Sequence, residues 1–289
     1  MKTTCHSEYG KISKIMIKRA EAAFVDDNTL EQQWKPLNFI SKPHFLESVN
    51  EYNKFESLLG IKPLCLPASQ DLSIDSVYCR DAAVVSNHGA ILCRMGKANR
   101  AGEPEAERAL FEASGVSILG VIQSPGTLEG GDCAWVDENT IAVGHTYRTN
   151  DEGIRQLKAL LEPKGVEVLV APMPHYRGPS DVFHLMSVFS PVDKDLAVVY
   201  SPLMPISFRN ELLRRNYSFV EVPEAEFDSM GCNVLAIAPR ECIMVKGNPE
   251  TAKLLRAAGC DVTEYDGWEI SVKGGGGPTC LTRPIERQV

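Results

Sequence analysis

The chain has 289 residues, a formal net charge of −8 at pH 7 and a hydrophobic fraction of 44%. This length allows one large domain or two ordinary ones, and this composition excludes a disordered chain. The acidic balance argues against a nucleic-acid partner. No apolar run approaches the ~20 residues that cross a membrane, and residues 1–10 lack the apolar stretch of a secretion signal, so we expect a soluble, cytoplasmic protein with no membrane partner.

The nine cysteines do not form a recognisable framework. Their number is odd, the chain is not short, and no two of them have C-x-x-C spacing. We therefore expect neither a disulfide scaffold nor a structural zinc site, and we expect most of the cysteines to be small core residues.

The predicted elements begin with a strand at residues 11–18, where polar and apolar residues alternate. Residues 19–42 have no clear periodicity and are interpreted as a long loop. A helix is predicted at 43–59, since Gly60 ends the pattern, and a short strand follows at 61–66.

From residue 77 onward, a pattern of strand hairpin, helix and strand recurs four times. The hairpins begin near residues 77, 133, 182 and 234, and this spacing of about 50 residues is typical of repeat architectures. The helices are predicted at 103–114, 151–162, 206–215 and 249–258, and the strands that follow them at 116–122, 166–170, 219–222 and 261–265.

A fifth unit is divided between the two ends of the chain. Its helix and last strand are at 43–66, and its hairpin must combine residues 11–18 with a strand after Cys280. Pairing of the two ends closes a ring and leaves no exposed sheet edge. We therefore predict an α/β fold of five ββαβ repeats in a single domain over residues 1–289.

The first strands of the five predicted hairpins begin near Asp81, Glu129, His184, Asn233 and Cys280. Equivalent positions in such a ring should lie around a common axis. A packed core would place apolar residues there, whereas this chain places two carboxylates, an imidazole, an amide and a thiol. The repeat therefore predicts a functional site at the axis.

Cys280 follows a run of four glycines at 274–277. Glycine allows sharp bends and close approach of the backbone to a ligand, and exposed backbone N–H groups can stabilise a thiolate. These features make Cys280 a candidate nucleophile. The alternative is a buried structural cysteine in a glycine-rich loop.

Taken together, the segments at 78–81, 128–132, 183–185 and 274–280 resemble motifs of the guanidino-modifying (amidinotransferase) superfamily. Within it, they are closest to the dimethylarginine dimethylaminohydrolases and arginine deiminases. The order of the four motifs is more specific than any one of them. The resemblance extends over about residues 10–285 and implies the five-bladed α/β propeller, or pentein, fold of that superfamily.

The resemblance also implies roles for four residues. Cys280 would attack the guanidinium carbon and form a covalent thiouronium intermediate, and His184 would protonate the leaving amine and then activate water. Glu129 would orient the histidine, and Asp81 would hold guanidinium nitrogens. This chemistry needs no metal and no organic cofactor.

Arg100 and Arg148 match the arginines that clasp the substrate α-carboxylate in dimethylarginine hydrolases and arginine deiminases. Asp75 matches a residue near the substrate amino group. The resemblance thus implies a small guanidino amino acid as the partner. Phe24 is a further candidate for substrate contact on its position alone, if segment 19–42 closes over the site. The sequence leaves the oligomeric state open, a homodimer included.

The residue two positions after His184 bears on the substrate. Arginine deiminases and amidinotransferases carry an aspartate there, whereas this chain has Met186. A methylated guanidinium has fewer N–H donors and would leave a buried aspartate poorly paired. Met186 therefore favours hydrolysis of Nω-methylated arginine to citrulline plus methylamine or dimethylamine.

Other members of the superfamily are alternatives. The Cys-Leu-Thr-Arg-Pro-Ile sequence from Cys280 and the Arg80-Asp81 pair look more like the deiminase and transferase branches. Methionine is also not the usual residue two after the histidine in dimethylarginine hydrolases. An arginine deiminase-like hydrolase is the main alternative, followed by a hydrolase of another guanidino or ureido compound. An amidinotransferase and a non-catalytic, ring-shaped binding protein are further alternatives.

Overall fold

The computed structural model describes residues 2–181 and 183–289. The strands are β1 (Thr3–Thr4), β2 (Lys11–Ile17), β3 (Leu64–Cys65), β4 (Ala83–Ser86), β5 (Gly89–Leu92), β6 (Ile118–Val121), β7 (Cys133–Asp137), β8 (Thr140–His145), β9 (Glu167–Pro172), β10 (Phe189–Asp193), β11 (Leu196–Val199), β12 (Ser218–Glu221), β13 (Leu235–Ala238), β14 (Glu241–Val245), β15 (Asp261–Tyr265) and β16 (Thr282–Gln288). The helices are α1 (Ala20–Phe24), α2 (Asp27–Gln33), α3 (Phe45–Leu58), α4 (Glu103–Ala113), α5 (Asp151–Leu161), α6 (Ile206–Arg214), α7 (Glu224–Phe227) and α8 (Pro249–Ala257).

Four three-stranded sheets share one topology, with the orders β4-β5-β6, β7-β8-β9, β10-β11-β12 and β13-β14-β15. In each, the first two strands form an antiparallel hairpin, and the third strand pairs in parallel with the second. A parallel pair needs a crossover, which helices α4, α5, α6 and α8 supply. The structure thus confirms the fourfold recurrence of hairpin, helix and strand.

The fifth sheet has the order β1-β16-β2-β3 and joins the two ends of the chain. Strand β16 runs antiparallel to β2, from Thr282 opposite Ile17 to Gln288 opposite Lys11. Strand β2 in turn pairs in parallel with β3, and α3 lies between them in the chain. The predicted pairing between the chain ends is therefore confirmed.

Helix α5 shows how the local sequence specifies these units. Asn150 caps its N-terminus, because the side chain accepts a hydrogen bond from Gly153 N at 2.8 Å. Ile154, Leu157 and Leu161 follow at helical spacing and are buried. The helix therefore buries one apolar face against β8 and β9 and exposes the other.

Segment 19–42 differs from the prediction of a long loop, because α1 and α2 lie within it. The Asp26 side chain caps α2 by accepting a hydrogen bond from Thr29 N at 2.7 Å, and Leu30 is fully buried. The helices are too short to give a periodic apolar pattern in the sequence. Their packing against the core, rather than intrinsic propensity, accounts for their formation.

Two predicted hairpins begin later than expected. The strand predicted from residue 77 begins at Ala83, after a 3₁₀ turn at Ile74–Val77. The strand predicted from Val182 begins at Phe189, after a 3₁₀ turn at Leu185–Ser187, and Val182 itself lies outside the described residues. In both cases an irregular segment precedes the strand and carries polar side chains to the end of the sheet. Among the described helices, none is both long and apolar enough to cross a membrane.

Candidate active site

One polar side chain lies shortly before a strand in each of the five sheets, as the repeat predicts. They are Asp81 before β4, Glu129 before β7, His184 before β10, Asn233 before β13 and Cys280 before β16. Four of them are buried, and Cys280 is half-buried. The segments also contact one another through the backbone, since Arg80 N donates to the Cys280 carbonyl at 3.2 Å.

His184 and Glu129 form the central pair of the site. The distance from His184 Nε2 to Glu129 Oε2 is 2.8 Å, and both side chains are buried. Burial by itself lowers the pKa of His184, but the carboxylates of Asp81, Asp132 and Glu129 outweigh it and raise the pKa to about 9. Burial raises the pKa of Glu129, but the hydrogen bond and charge of His184 lower it to about 2. Both shifts favour an imidazolium–carboxylate ion pair over a neutral pair.

Asp132 holds this pair in place and is a residue that the sequence analysis did not select. It accepts hydrogen bonds from the hydroxyls of Thr146 at 2.7 Å and Thr149 at 2.6 Å and from Leu185 N at 3.0 Å. Thr149 Oγ1 in turn accepts from Glu129 N at 3.1 Å. Asp132 thus fixes the backbone on both sides of the pair. Its place in the 128–132 motif was the available signal.

Gly131 has a steric role beside the same pair. A Cβ atom at this position would lie 2.6 Å from both His184 Nδ1 and Asp81 Oδ1. There is therefore no room for a side chain at Gly131, because the His184 imidazole and the Asp81 carboxylate approach each other there. The distance between His184 Nδ1 and Asp81 Oδ1 is 4.0 Å.

Cys280 is held by Asn233, another residue that the analysis placed at the axis without assigning a role. Asn233 Nδ2 donates to Cys280 Sγ at 3.4 Å, and Asn233 Oδ1 accepts from Thr279 N at 3.0 Å. Burial, followed by the charge of Asp81, raises the pKa of the Cys280 thiol, whereas the hydrogen bonds from Asn233 and Thr279 act in the opposite direction. A Cβ atom on Gly277 would lie 2.5 Å from Asn233 Cγ, which explains one of the four glycines.

Arg100 is buried among protein acceptors. Its Nη1 lies 2.5 Å from Asp81 Oδ2, its Nε lies 2.9 Å from Glu103 Oε1, and its Nη2 contacts Glu103 Oε2 at 2.7 Å and the Tyr78 carbonyl at 2.8 Å. A guanidinium with these partners has little capacity left for a substrate carboxylate. Arg100 also lies in the wall of the smaller cavity beside Cys280, and its expected contact with the substrate α-carboxylate stays a prediction.

Arg148 is less completely paired. Its Nη1 lies 3.5 Å from Glu129 Oε1, and its Nη2 lies 3.4 Å from the Asp181 carbonyl. Asp75 forms an ion pair with Lys97, which the sequence analysis did not select. Lys97 Nζ also donates to the Leu37 carbonyl at 3.0 Å, so this pair connects segment 19–42 to the site.

Phe24 does not occupy the position expected for substrate contact. Its side chain is fully buried and packs in a hydrophobic cluster with Leu30, Ile74 and Val77. Because Phe24 lies on α1, its aromatic ring points into the hydrophobic core. Phe39 is the aromatic residue of the segment that approaches the glycine run, since a Cβ atom on Gly274 would lie 2.6 Å from Phe39 Cε1.

Two cavities meet at His184 and Cys280. The larger has a volume of about 330 Å³, and the smaller, of about 20 Å³, has room for little more than one water molecule. The wall of the smaller includes five charged residues, which are Asp75, Asp81, Lys97, Arg100 and Arg148. The larger has many apolar residues in its wall, which include Ile40, Tyr176, Phe183, Met186, Phe227 and Met230.

The site also contains three potential metal ligands that lie close together, namely Asp81, Glu129 and His184. One ligand atom from each lies within 4.8 Å of the others. However, Asp81 pairs with Arg100, and Glu129 pairs with His184 and lies near Arg148. Neighbouring cations disfavour a divalent ion there. The absence of a metal stays a prediction of the sequence analysis.

The chain as a whole is similar to several known proteins. The family model described as "N,N dimethylarginine dimethylhydrolase, eukaryotic" matches residues 16–287. An N(G),N(G)-dimethylarginine dimethylaminohydrolase of Streptomyces coelicolor is 32% identical over 72% of this chain and 73% of its own length.

Solved structures show the same fold at lower identity. The dimethylarginine dimethylaminohydrolase of Pseudomonas aeruginosa has a TM-score of 0.75 at 24% identity, covering 94% of this chain and 98% of its own. SxtG, an amidinotransferase from Microseira wollei, has a TM-score of 0.78 at 15% identity, covering 98% of this chain and 97% of its own. The chain therefore belongs to the dimethylarginine dimethylaminohydrolase family of the guanidino-modifying superfamily.

Proposed function

We propose that this protein hydrolyses the guanidinium C–N bond of Nω-methylated arginine and yields citrulline plus methylamine or dimethylamine. The observation that carries the proposal is the convergence of the Cys280 thiol and the His184–Glu129 pair on one cavity whose wall includes Met186. A nucleophile, an acid and an apolar surface for N-methyl groups thus share one space.

The first half of the proposed reaction forms a covalent intermediate. The cationic guanidinium lowers the pKa of the Cys280 thiol on binding, and the thiol proton passes to solvent. Cys280 Sγ attacks the guanidinium carbon, and the C–N bond to the methylated nitrogen breaks as His184 donates its proton to the leaving amine. The product is an S-alkylthiouronium on Cys280 and a neutral imidazole at His184.

Water completes the reaction. Neutral His184 accepts a proton from water as its oxygen adds to the thiouronium carbon. The C–S bond then breaks as the added hydroxyl releases its remaining proton to solvent, which regenerates the Cys280 thiolate and leaves the neutral ureido group of citrulline. Glu129 stays ionised throughout because its pKa is low, and it stabilises the imidazolium that forms in this step.

Substrate selection is assigned to three residues on opposite sides of Cys280. Met186 offers an apolar contact to N-methyl groups, whereas an aspartate there would lose hydrogen-bond partners. Arg148 is the proposed partner of the substrate α-carboxylate, because its present contacts at 3.4–3.5 Å are weak. Asp75 is the proposed partner of the α-amino group, in exchange for Lys97.

We also propose that the five sheets form the five blades of an α/β propeller. The convergence of segments from five sheets and the pairing of β2 with β16 support five blades around one axis, in a single catalytic domain over residues 1–289. The active site lies where the five blades meet, so the ring supplies one side chain from each blade.

An arginine deiminase-like activity is the second candidate, because Arg80 and Arg283 resemble that branch. In the structure Arg283 Nη2 donates to the Arg80 carbonyl at 2.5 Å, and both side chains are buried. Arg283 therefore packs against the backbone of Arg80, and Arg80 also lies in the wall of the larger cavity.

A turnover assay distinguishes the two. Purified protein is supplied with dimethylarginine or arginine at equal concentration, and citrulline, dimethylamine and ammonia are quantified. We expect faster turnover of dimethylarginine, and faster turnover of arginine would contradict the proposal. Intact mass spectrometry of quenched reactions should detect the adduct on wild-type protein, and the Cys65→Ser variant, which removes another half-buried thiol, should retain it.

A further inference from the structure

Three buried arginines lie behind the proposed active site. Arg80 precedes Asp81, and Arg283 and Arg287 lie on β16; their exposed fractions are 0%, 5% and 1%. We call them the arginine cluster. The three are linked around residues 8–10: Arg80 Nη2 donates to Glu8 Oε1 at 2.7 Å, Arg283 contacts the Arg80 carbonyl, and Arg287 Nη1 donates to the Gly10 carbonyl at 2.5 Å.

The arginine cluster has more donors than the surrounding protein has acceptors. Within residues 2–181 and 183–289, five of its buried nitrogens have no hydrogen-bond partner, namely Arg80 Nε and Nη1, Arg283 Nε, and Arg287 Nε and Nη2. Buried guanidinium donors of this kind are normally paired, because desolvating them without partners is costly.

The arginine cluster also carries more positive charge than the carboxylates around it neutralise. Glu8 is the carboxylate that hydrogen-bonds to the cluster, and its other described contact is from Trp135 N at 3.3 Å. The next acidic neighbour is Glu107, which is buried near Lys18, and burial raises the pKa of Glu107 well above its usual range. Even with Glu107 ionised, the buried cations outnumber the carboxylates. Burial and the charge of Arg80 also lower the pKa of Arg287 to about 10, although Glu8 acts in the opposite direction.

We propose that the arginine cluster binds a small inorganic anion of the size of chloride. Water could accept the free N–H donors, but only an anion both accepts them and neutralises the excess charge. Arg80 also lies in the wall of the larger cavity. The bound anion takes no part in the reaction at Cys280 and serves as a counter-ion next to the closing strand β16.

The first test uses wild-type protein. Thermal unfolding is measured in potassium chloride and in potassium gluconate at equal ionic strength and pH, since gluconate is too large for a buried site. We expect chloride to raise Tm by roughly 2–5 °C with a saturable concentration dependence. Bromide should act like chloride, and crystals soaked in bromide should show one anomalous peak among the three guanidinium groups. Equal Tm in both salts together with no bromide peak would overturn the proposal.

A variant pair tests the location. Arg287→Met removes one cation while keeping an apolar stem, and we expect it to lose most of the chloride-dependent rise in Tm. Arg155→Met removes an exposed arginine paired with Glu152 and should retain the rise. If Arg287→Met does not fold, the bromide experiment on wild-type protein still decides the question. Retention of the full chloride effect in a folded Arg287→Met variant would contradict the location.

Discussion

The two cavities that meet at Cys280 differ in size and chemistry. The smaller, of about 20 Å³, is lined by acids and bases that pair with one another, such as Asp81 with Arg100 and Asp75 with Lys97. The larger, of about 330 Å³, also has charged residues in its wall, but it includes aromatic and thioether side chains such as Phe183 and Met186. Under the proposed function the two sides have different roles: the charged side holds the cationic guanidinium, whereas the apolar side contacts the substituents on the leaving nitrogen.

The largest expected effect is at the boundary between the cavities. Cys280→Ser should lower kcat by at least about 10⁴-fold, because a hydroxyl is a far weaker nucleophile than a thiolate at neutral pH. Citrulline formation measures this loss, and circular dichroism should show an unchanged fold. A Cys280→Ser protein that retains even a tenth of the wild-type rate would rule out covalent catalysis by this residue.

The second-largest expected effect is at Glu129, the carboxylate that is hydrogen-bonded to His184. Glu129→Gln should lower kcat by about 10²–10³-fold, since the imidazolium loses its carboxylate partner. The same change should alter stability as a function of pH. His184 has a raised pKa of about 9 in the folded protein, so its stabilising contribution is fully present below the unfolded value near 6.5 and is lost as pH rises towards 9.

Chemical unfolding at pH 6 and pH 9 measures this contribution. The decline in unfolding free energy between the two values should be smaller in Glu129→Gln than in wild-type protein. An equal decline in both proteins would show that the His184–Glu129 hydrogen bond does not set the pKa of the histidine.

A smaller effect is expected on the apolar side. Met186→Asp should change the ratio of dimethylarginine to arginine turnover by about 10–100-fold in favour of arginine, because the new carboxylate prefers unmethylated N–H donors. Met186→Leu keeps the apolar character and should retain the wild-type ratio. The assignment of the larger cavity to the leaving amine fails if Met186→Asp and Met186→Leu show the same preference.

The smallest effect concerns the residue that positions the thiol. Asn233→Ala removes the N–H group that donates to Cys280 Sγ, so the pKa of the thiol should rise further. Alkylation of Cys280 by iodoacetamide at pH 7 should slow by about tenfold, in line with one hydrogen bond to a charged group. Mass spectrometry of the peptide that contains Cys280 gives this rate without any substrate. Asn233→Asp, which places a negative charge there, should slow alkylation more than Asn233→Ala does.

Much of the secondary structure could be predicted because each repeat carries its own signals. Apolar runs end at turns such as Asp137-Glu138-Asn139, and caps such as Asn150 mark the helices. The strand starts at Ala83 and Phe189 were placed too early because the irregular segments before them also contain buried apolar residues. Apolar content alone does not distinguish a strand from a buried 3₁₀ turn.

The candidate site was predictable where its residues sit at matched positions of the repeat. Glu129, His184 and Cys280 were selected in this way. In the structure His184 and Cys280 line the same cavity, and Glu129 is hydrogen-bonded to His184. The pairing of Arg100 with Glu103 and the burial of Phe24 depend on tertiary packing, which a single sequence does not encode in any local pattern.

The pairing of β2 with β16 has a consequence for synthesis on the ribosome. Strand β2 is translated early, but its antiparallel neighbour emerges only after the other four sheets. A nascent chain thus carries an unpaired strand edge, which is a site for association with other chains. The residues that cover this edge follow Cys280 directly, so the chain gains its proposed nucleophile and the strand that covers its exposed edge together, at the end of translation.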